Sequence, residues 1–135
     1  MPRKIFVNLP IRNLDASMTF FKRLGFSFNP QFTDETAACM VISDDIYAML
    51  ITETRFKDFT KKQIADATKT TEVLTALSVD SKAEVDQIMD AALKAGATEA
   101  NAPQDHGFMI VRSFNDLDGH IWEIFWMNPE HVQKQ

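Results

Sequence analysis

Two segments of this chain, about half its length apart, each combine a strand-like stretch with an amphipathic helix directly after it. Residues 3–11 alternate with period two, which is typical of a strand, and the helical pattern LDASMTFFKRLG follows. Farther along, a strand over residues 72–80 precedes a helix over residues 83–95. A repeated strand–helix unit indicates an internal duplication. This duplication constrains the fold more than any other feature of the sequence.

Local signals support both helices. Asn13 or Asp15 can cap the first helix, and Gly25 is placed to end it. Ser81 and Glu84 have the spacing of a capping box, in which each side chain satisfies a backbone donor beside the other residue. The helices are therefore expected at these two places.

Short β-type runs follow each helix. They cover residues 26–33, 36–43 and 46–53 in the first half, and residues 108–114 and 120–127 in the second, where residues 97–107 contain a further short strand and the turn-rich stretch NAPQDHG. The sequence predicts an α+β fold of two βαβββ modules, over about 3–53 and 72–128 of a single domain. Their curled mixed sheets are expected to enclose a cleft, with the helices outside. The polar segment 54–71 is predicted to be a mobile linker or lid.

The whole-chain numbers exclude several classes of function. A net charge of -5 gives no basic surface for a nucleic acid. No run approaches the roughly 20 apolar residues that cross a membrane, and the first residues do not form a secretory signal. Cys39 is the only cysteine, so it cannot form a disulfide within the chain and is expected as a buried apolar residue. A cytoplasmic protein is the resulting expectation.

Three segments resemble the vicinal oxygen chelate superfamily, which contains glyoxalases, bleomycin-resistance proteins and extradiol dioxygenases. They are FVNLPIRNLDASMTFFKRLGF, ALSVDSKAEVDQIMDAALKAGA and FNDLDGHIWEIFW, and they occur in the expected order. The resemblance covers the chain from about Ile5 to Met127. It implies a small-molecule pocket between two modules, and a homodimer.

The metal ligands of that superfamily can be transferred by position. They fall on Phe6, near Met49, on Leu74 and on Glu123, and only Glu123 matches. A catalytic metal normally needs at least three protein ligands with N, O or S donors. The resemblance implies a divalent metal in catalytic members, but three of the four positions are missing, so the familiar metal site is expected to be absent, although a divalent metal held in another way stays open.

Glu123 is the sharpest single feature. In the strand HIWEIFWM, Trp122 and Trp126 point one way and Glu123 points the other. If the tryptophans pack under a helix, Glu123 lies in the cleft, where it can act as a general base or bind a cationic group. The alternative is a structural glutamate paired with Arg112.

The other candidate ligand contacts are apolar walls with a few polar groups, as in most small-molecule sites. The walls are Phe6, Tyr47, Met49, Leu74, Phe108 and Phe125, and the polar groups that orient a ligand are Asn8 and Arg112. His106, in the loop before the seventh strand, is an acid–base group, a displaced metal ligand or a solvated loop histidine. His120 and His131 receive no role.

Two functions follow. The first is a glyoxalase- or bleomycin-resistance-like protein that performs lyase or isomerase chemistry, with Glu123 transferring a proton next to a carbonyl. The second is a non-catalytic, metal-free protein that sequesters a small aromatic or cationic compound.

Overall fold

The computed structural model describes residues 2–131, and its elements follow the predicted order. The first half contains β1 (Ile5–Ile11), α1 (Leu14–Arg23), β2 (Ser27–Asn29), β3 (Ala37–Val41), β4 (Ile46–Thr52) and α2 (Glu53–Phe56). The second half contains β5 (Thr75–Ser78), α3 (Lys82–Lys94), β6 (Thr98–Glu99), β7 (Gln104–Asp105), β8 (Met109–Asn115) and β9 (Ile121–Met127). The chain divides into two compact units, with the boundary between residues 65 and 66.

The first unit is a mixed sheet with strand order β1-β4-β3-β2. Strand β1 runs parallel to β4, and the other pairs are antiparallel. Helix α1 is capped by Asn13, whose side chain accepts a hydrogen bond from the backbone N–H of Ala16 at 3.0 Å. Its buried side includes Phe20 and Phe21, whereas Met18 is only half-buried. The two large rings fill the space against the sheet.

Register divides the first sheet into two faces. Leu9 pairs with Leu50 on the face that α1 covers, and both side chains are buried. The alternate residues Phe6, Asn8, Tyr47 and Met49 lie together on the other face and are exposed or half-buried. We call this second set the first open face.

Strand β2 is shorter than the predicted run of residues 26–33. It ends at Asn29, because Pro30 has no backbone N–H to continue the ladder and begins a short 3-10 turn, Pro30–Phe32. The Asn29 side chain caps this turn by accepting a hydrogen bond from the N–H of Gln31 at 2.9 Å.

The second unit is a mixed sheet with order β5-β9-β8-β6, and β7 also pairs with β8. Two short strands, β6 and β7, therefore replace the one that the sequence predicted between residues 97 and 107. Strand β5 covers only Thr75–Ser78, so the predicted strand over residues 72–80 is too long at both ends. The long hairpin of β8 and β9 is confirmed.

Helix α3 has the predicted capping box. The Ser81 hydroxyl accepts a hydrogen bond from the N–H of Glu84 at 3.2 Å, and the Glu84 carboxylate accepts one from the N–H of Asp80 at 3.1 Å. Val85 and Met89 are buried as expected, but Leu93 is 38% exposed. The predicted apolar stripe is therefore too wide on one side of the helix.

The tryptophans of β9 lie under α3. Trp122 and Ile124 are buried, and the Lys82 ammonium of α3 lies 5.3 Å from the centre of the Trp126 ring. Glu123 and Phe125, the alternate residues of the strand, are half-buried on the other side. Glu123 pairs with Ala76 of β5 and Ser113 of β8, and Phe125 pairs with Ser78 of β5 and Val111 of β8. We call this set the second open face.

The segment predicted as a linker or lid contains ordered local structure. Its start lies in α2, and the Asp66 side chain accepts hydrogen bonds from the N–H and hydroxyl of Thr68 in a turn. The backbone of Ala67 and Thr68 packs on Gly119 of the β8–β9 turn. Between residues 2 and 131, no helix is both long enough and apolar enough to cross a membrane.

Candidate functional site

Glu123 lies near the middle of β9, the second strand of its sheet. On one side it pairs with Ala76 of β5, and on the other with Ser113 of β8. These two neighbours have small side chains, so little shields the carboxylate across the strands. Along β9, the next residue on the same face is Phe125. Glu123 is therefore a half-buried carboxylate in a largely apolar and small-residue setting.

The carboxylate of Glu123 has no cation beside it. Within residues 2–131 it forms neither a hydrogen bond nor an ion pair. The Ser113 hydroxyl, its cross-strand neighbour, instead accepts a hydrogen bond from the N–H of Asn101 at 3.1 Å. A half-buried carboxylate without a partner is able to accept a positively charged group or a proton from a ligand.

Arg112 was predicted as a ligand-orienting group and, alternatively, as the partner of Glu123. Both predictions are wrong, because Arg112 pairs with Ile124 in the register and therefore lies on the face that α3 covers. Its guanidinium donates hydrogen bonds to Asp86 at 2.9 Å and to Glu99 at 3.3 Å. Burial opposes its charge, but these two hydrogen bonds outweigh it and raise the pKa of Arg112. Arg112 connects α3 to the sheet.

The first open face is aromatic. Phe6 and Tyr47 are cross-strand neighbours, and their rings stack with centres 4.6 Å apart and planes 10° from parallel. Asn8 pairs with Met49 one step along the same face. The Asn8 amide nitrogen donates to the carbonyl oxygen of Phe6 at 3.1 Å. The structure thus brings four of the predicted contacts together on the first unit.

The remaining candidates lie at the edges of the second unit. Leu74 is exposed and directly precedes β5, so its side chain has the parity of Ala76. His106 and Phe108 lie in the turn before β8, with ring centres 6.3 Å apart. Phe108 also stacks on His131, with ring centres 4.0 Å apart, a contact that no local pattern in the sequence indicates. Of these residues, none is shown to contact Glu123.

Asp116 was not singled out as a functional residue, yet it organises the turn that leads into β9. One carboxylate oxygen accepts the N–H groups of Asp118 and His120, and the other accepts the indole N–H of Trp122 at 3.0 Å. Burial raises the pKa of Asp116, against the opposing charge of His120 and these hydrogen bonds. The D-x-D-G motif was the available signal, because an aspartate before a tight turn commonly accepts backbone N–H groups.

Comparisons with known proteins agree with this geometry. A family described as "Bleomycin resistance protein-like N-terminal" matches residues 3–43. The hypothetical protein SA1046 from S. aureus is similar in structure, with a TM-score of 0.78, 28% identity, and coverage of 93% of this chain and 95% of that one. A comparison with curated protein sequences gives no significant match.

Two further solved structures share the arrangement at lower identity. A glyoxalase-related enzyme from Fulvimarina pelagi has a TM-score of 0.77 and 18% identity, over 93% of this chain and 88% of that one. A bleomycin resistance determinant encoded on the transposon Tn5 has a TM-score of 0.65 and 18% identity, over 93% and 98% of the two chains. These likenesses are to a fold that glyoxalase-related and bleomycin-resistance proteins share, and they are consistent with the resemblance of the sequence to the vicinal oxygen chelate superfamily.

Likeness to the vicinal oxygen chelate superfamily concerns the fold and leaves the chemistry open. The metal that catalytic members use does not fit the donors of this chain. Between residues 2 and 131, no three His, Cys, Asp or Glu side chains are grouped closely enough to hold a metal ion. On the first open face, the transferred ligand positions carry the phenyl ring of Phe6 and the thioether of Met49. No step of the proposed function is therefore assigned to a metal.

Proposed function

We propose that this chain binds a small organic cation at the second open face, with the Glu123 carboxylate as its counter-ion. The observation that carries the proposal is a half-buried carboxylate, between Ala76 and Ser113, with no partner among residues 2–131. Removing such a carboxylate from water is unfavourable unless an opposite charge compensates for it. A cationic ligand supplies that charge.

The neighbours of Glu123 favour a cation with an apolar body. Phe125 follows Glu123 on the same face, and Val111 pairs with Phe125. We propose these two side chains as the wall on which the apolar part of the ligand packs, since small-molecule sites combine apolar walls with a few polar groups. Leu74, Phe108 and His106 are proposed as peripheral contacts of this site.

The relatives suggest a first compound to test. One similar structure is a bleomycin resistance determinant, and bleomycin is an organic cation. The chain carries a net charge of -5, which favours cationic over anionic ligands. Bleomycin without metal is therefore the first ligand for a binding assay, followed by pairs of simple amines and the alcohols of the same shape.

The test is a thermal-shift and calorimetric comparison of the wild type with Glu123→Gln. A ligand at 100 times its Kd stabilises a protein by about 2.7 kcal/mol. We expect at least one amine to raise the melting temperature while its alcohol does not, and Glu123→Gln to remove this effect. Glu72→Gln is the matched control, because Glu72 is an exposed glutamate of the same unit. Equal binding of an amine by the wild type and Glu123→Gln would contradict the proposal.

A second candidate function is catalytic. It is favoured by the position of Glu123, the one superfamily ligand position that keeps a carboxylate in this chain. In this role Glu123 would take a proton from the carbon next to a carbonyl, as in lyase or isomerase chemistry. The assay is turnover of the adduct of methylglyoxal and glutathione. Turnover that Glu123→Gln abolishes would replace the binding proposal with this one.

We also propose that the chain acts as a cytoplasmic homodimer. The support for the dimer is the state that resemblance to the superfamily implies, and the support for the cytoplasm is the single cysteine, which cannot form a disulfide within the chain. Light scattering coupled to size-exclusion chromatography measures the mass directly. A single species near twice 15.4 kDa is expected, and a species of 15.4 kDa at all concentrations would contradict the dimer.

A further inference from the structure

The exposed edge of the first open face carries an ordered aromatic stack. Three contacts hold Tyr47 in place. Its hydroxyl donates a hydrogen bond to the carbonyl oxygen of Asp44 at 2.7 Å, and the Phe6 ring stacks on it. The Lys4 ammonium lies 5.5 Å from the centre of the Tyr47 ring. Lys4 is itself held by Asp44 and Asp45. The plane of Phe6 is therefore set before any ligand arrives.

One side of the Phe6 ring has no aromatic neighbour within residues 2–131. Tyr47, on the adjacent strand β4, is the only ring that stacks on Phe6 there, and Phe6 remains 46% exposed. Since Tyr47 stacks from the side of β4, the uncovered side of Phe6 faces away from β4. A large aromatic surface is left open at the outer edge of β1.

Asn8 places a hydrogen-bond acceptor at the same edge. The N–H of Ile5 bonds to the carbonyl of Asp45, so the odd residues of β1 direct their backbone groups toward β4 and Phe6 directs its carbonyl outward. The Asn8 amide nitrogen donates to that outward carbonyl at 3.1 Å. This contact fixes the amide and leaves its oxygen, which has no other partner within residues 2–131, as an acceptor beside Phe6.

We infer that Phe6, Tyr47 and Asn8 form a stacking site for a planar heteroaromatic ring that carries an N–H donor or a positive charge. A ring placed on Phe6 extends the existing stack, and its N–H donates to the Asn8 oxygen. The π face of Phe6 favours positive over negative rings. The nearby charges permit a cationic ring, because the Lys4 ammonium is paired with the Asp45 carboxylate at 3.2 Å. This site is argued from the first unit alone and goes beyond the proposed role of Glu123.

The chain offers a specific probe for this site, because Tyr47 is its only tyrosine. Protein labelled with 3-fluorotyrosine gives one 19F resonance, located in the stack. Proflavine, a planar heteroaromatic cation with N–H groups, should move this resonance in a saturable titration. Cyclohexylammonium, which has the charge and N–H groups without a π face, should not.

Variants separate stacking from other causes. Phe6→Leu keeps an apolar side chain but removes the ring, and base–aromatic stacking of about 1–3 kcal/mol corresponds to a loss of about 5- to 150-fold in affinity. Phe32→Leu is the matched control, since Phe32 is an exposed phenylalanine of the same unit outside the stack. We expect it to leave the proflavine affinity unchanged. Asn8→Ala should weaken binding by a smaller factor.

Three results would overturn the inference. The first is a 19F shift with cyclohexylammonium equal to that with proflavine, and the second is equal proflavine affinity in Phe6→Leu and Phe32→Leu. The third is a 19F shift that depends on protein concentration without ligand, which would show that a second copy covers the stack. The Glu123 assay uses amine–alcohol pairs and a different variant, so either proposal can fail while the other holds.

Discussion

The two units share a plan but differ in how each face of the sheet is used. On the helix side, the first unit packs α1 with rings and aliphatic groups such as Phe20 and Leu50, whereas the second adds an ionic cluster around Arg112. On the open side, the first carries the stack of Phe6 and Tyr47, whereas the second carries the lone carboxylate of Glu123. The helix sides thus maintain the fold, and the open sides supply different chemistry.

The largest expected effect compares the two faces of β9. Ile124→Ala should lower the free energy of unfolding by about 3 kcal/mol, because Ile124 is fully buried under α3. Phe125→Ala removes a larger side chain from the open face but should cost less, since Phe125 is only half-buried. Urea unfolding of both variants measures the difference. A greater loss in Phe125→Ala would contradict the assignment of the faces.

The second effect compares glycines of the two units. Gly119 has φ of +91°, and a Cβ there would lie 2.8 Å from the backbone of Ala67 and Thr68. Gly25 has φ of +102° with nothing within 4 Å of such a Cβ. Gly25→Ala should lower the free energy of unfolding by about 1 kcal/mol, because alanine is strained in the left-handed backbone conformation. Gly119→Ala should lower it by about 2–3 kcal/mol, because the new Cβ also meets the backbone. Equal losses in thermal unfolding would show that the segment after α2 does not rest on Gly119.

The third effect tests the turn that leads into β9 of the second unit. In Asp116→Asn the amide oxygen can still accept the two backbone N–H groups, but the amide nitrogen then faces the indole N–H of Trp122. The indole N–H of Trp122 then has no acceptor, which should lower the free energy of unfolding by about 1–3 kcal/mol. The exposed Asp80→Asn is the control and should stay within about 0.5 kcal/mol.

The same variant gives a prediction for pH. Because burial raises the pKa of Asp116 in the folded protein, the native state holds its proton more tightly than the unfolded chain. The contribution of this proton to the free energy of unfolding is complete below the pKa of the unfolded chain, about 3.9, and is lost as the pH rises through the pKa of Asp116 in the folded protein. The stability difference between wild type and Asp116→Asn should therefore shrink from acidic to neutral pH. A difference that grows with pH would mean that the hydrogen bonds outweigh burial.

The smallest effect tests the ionic cluster that distinguishes the second helix from the first. The Arg112 side chain is 17% exposed, but Asp86, Asp90 and Glu99 are much more open. Arg112→Met keeps the apolar stem and should lower the free energy of unfolding by about 1 kcal/mol. Added salt should reduce this difference between the variant and the wild type. Arg55→Met is the control, because its ion pair with Asp58 is exposed. A loss that is insensitive to sodium chloride would indicate lost packing instead of lost charge.

Periodicity and capping signals were sufficient for the fold. The period of two placed Glu123 and the tryptophans of β9 on opposite faces, and Ser81 with Glu84 fixed the start of α3. Short edge elements were predicted less well, because β2, β6 and β7 contain two or three residues each, too few to show a period. Pairing with β8, not local sequence, holds β6 and β7 in place.

Strand alternation predicts which face of a sheet a candidate residue occupies. It does not predict which side chains that residue contacts. Phe6, Asn8, Tyr47 and Met49 share a face as expected. The prediction for Arg112 was wrong because the β8–β9 register puts Arg112 beside Ile124, and alternation within each strand does not reveal the register between the two strands. The carboxylates that hold Arg112 come from α3 and β6, and no local pattern connects them with β8.

The most direct test of the central claim is methyl NMR of protein labelled at alanine. Ala76 lies directly across from Glu123 on the second open face, whereas Ala92 is buried in α3. With the amine that stabilises the wild type most, the Ala76 methyl should shift and the Ala92 methyl should not, and Glu123→Gln should abolish the Ala76 shift. A ligand-induced shift at Ala92 alone, or an Ala76 shift that survives in Glu123→Gln, would contradict a cation site at Glu123.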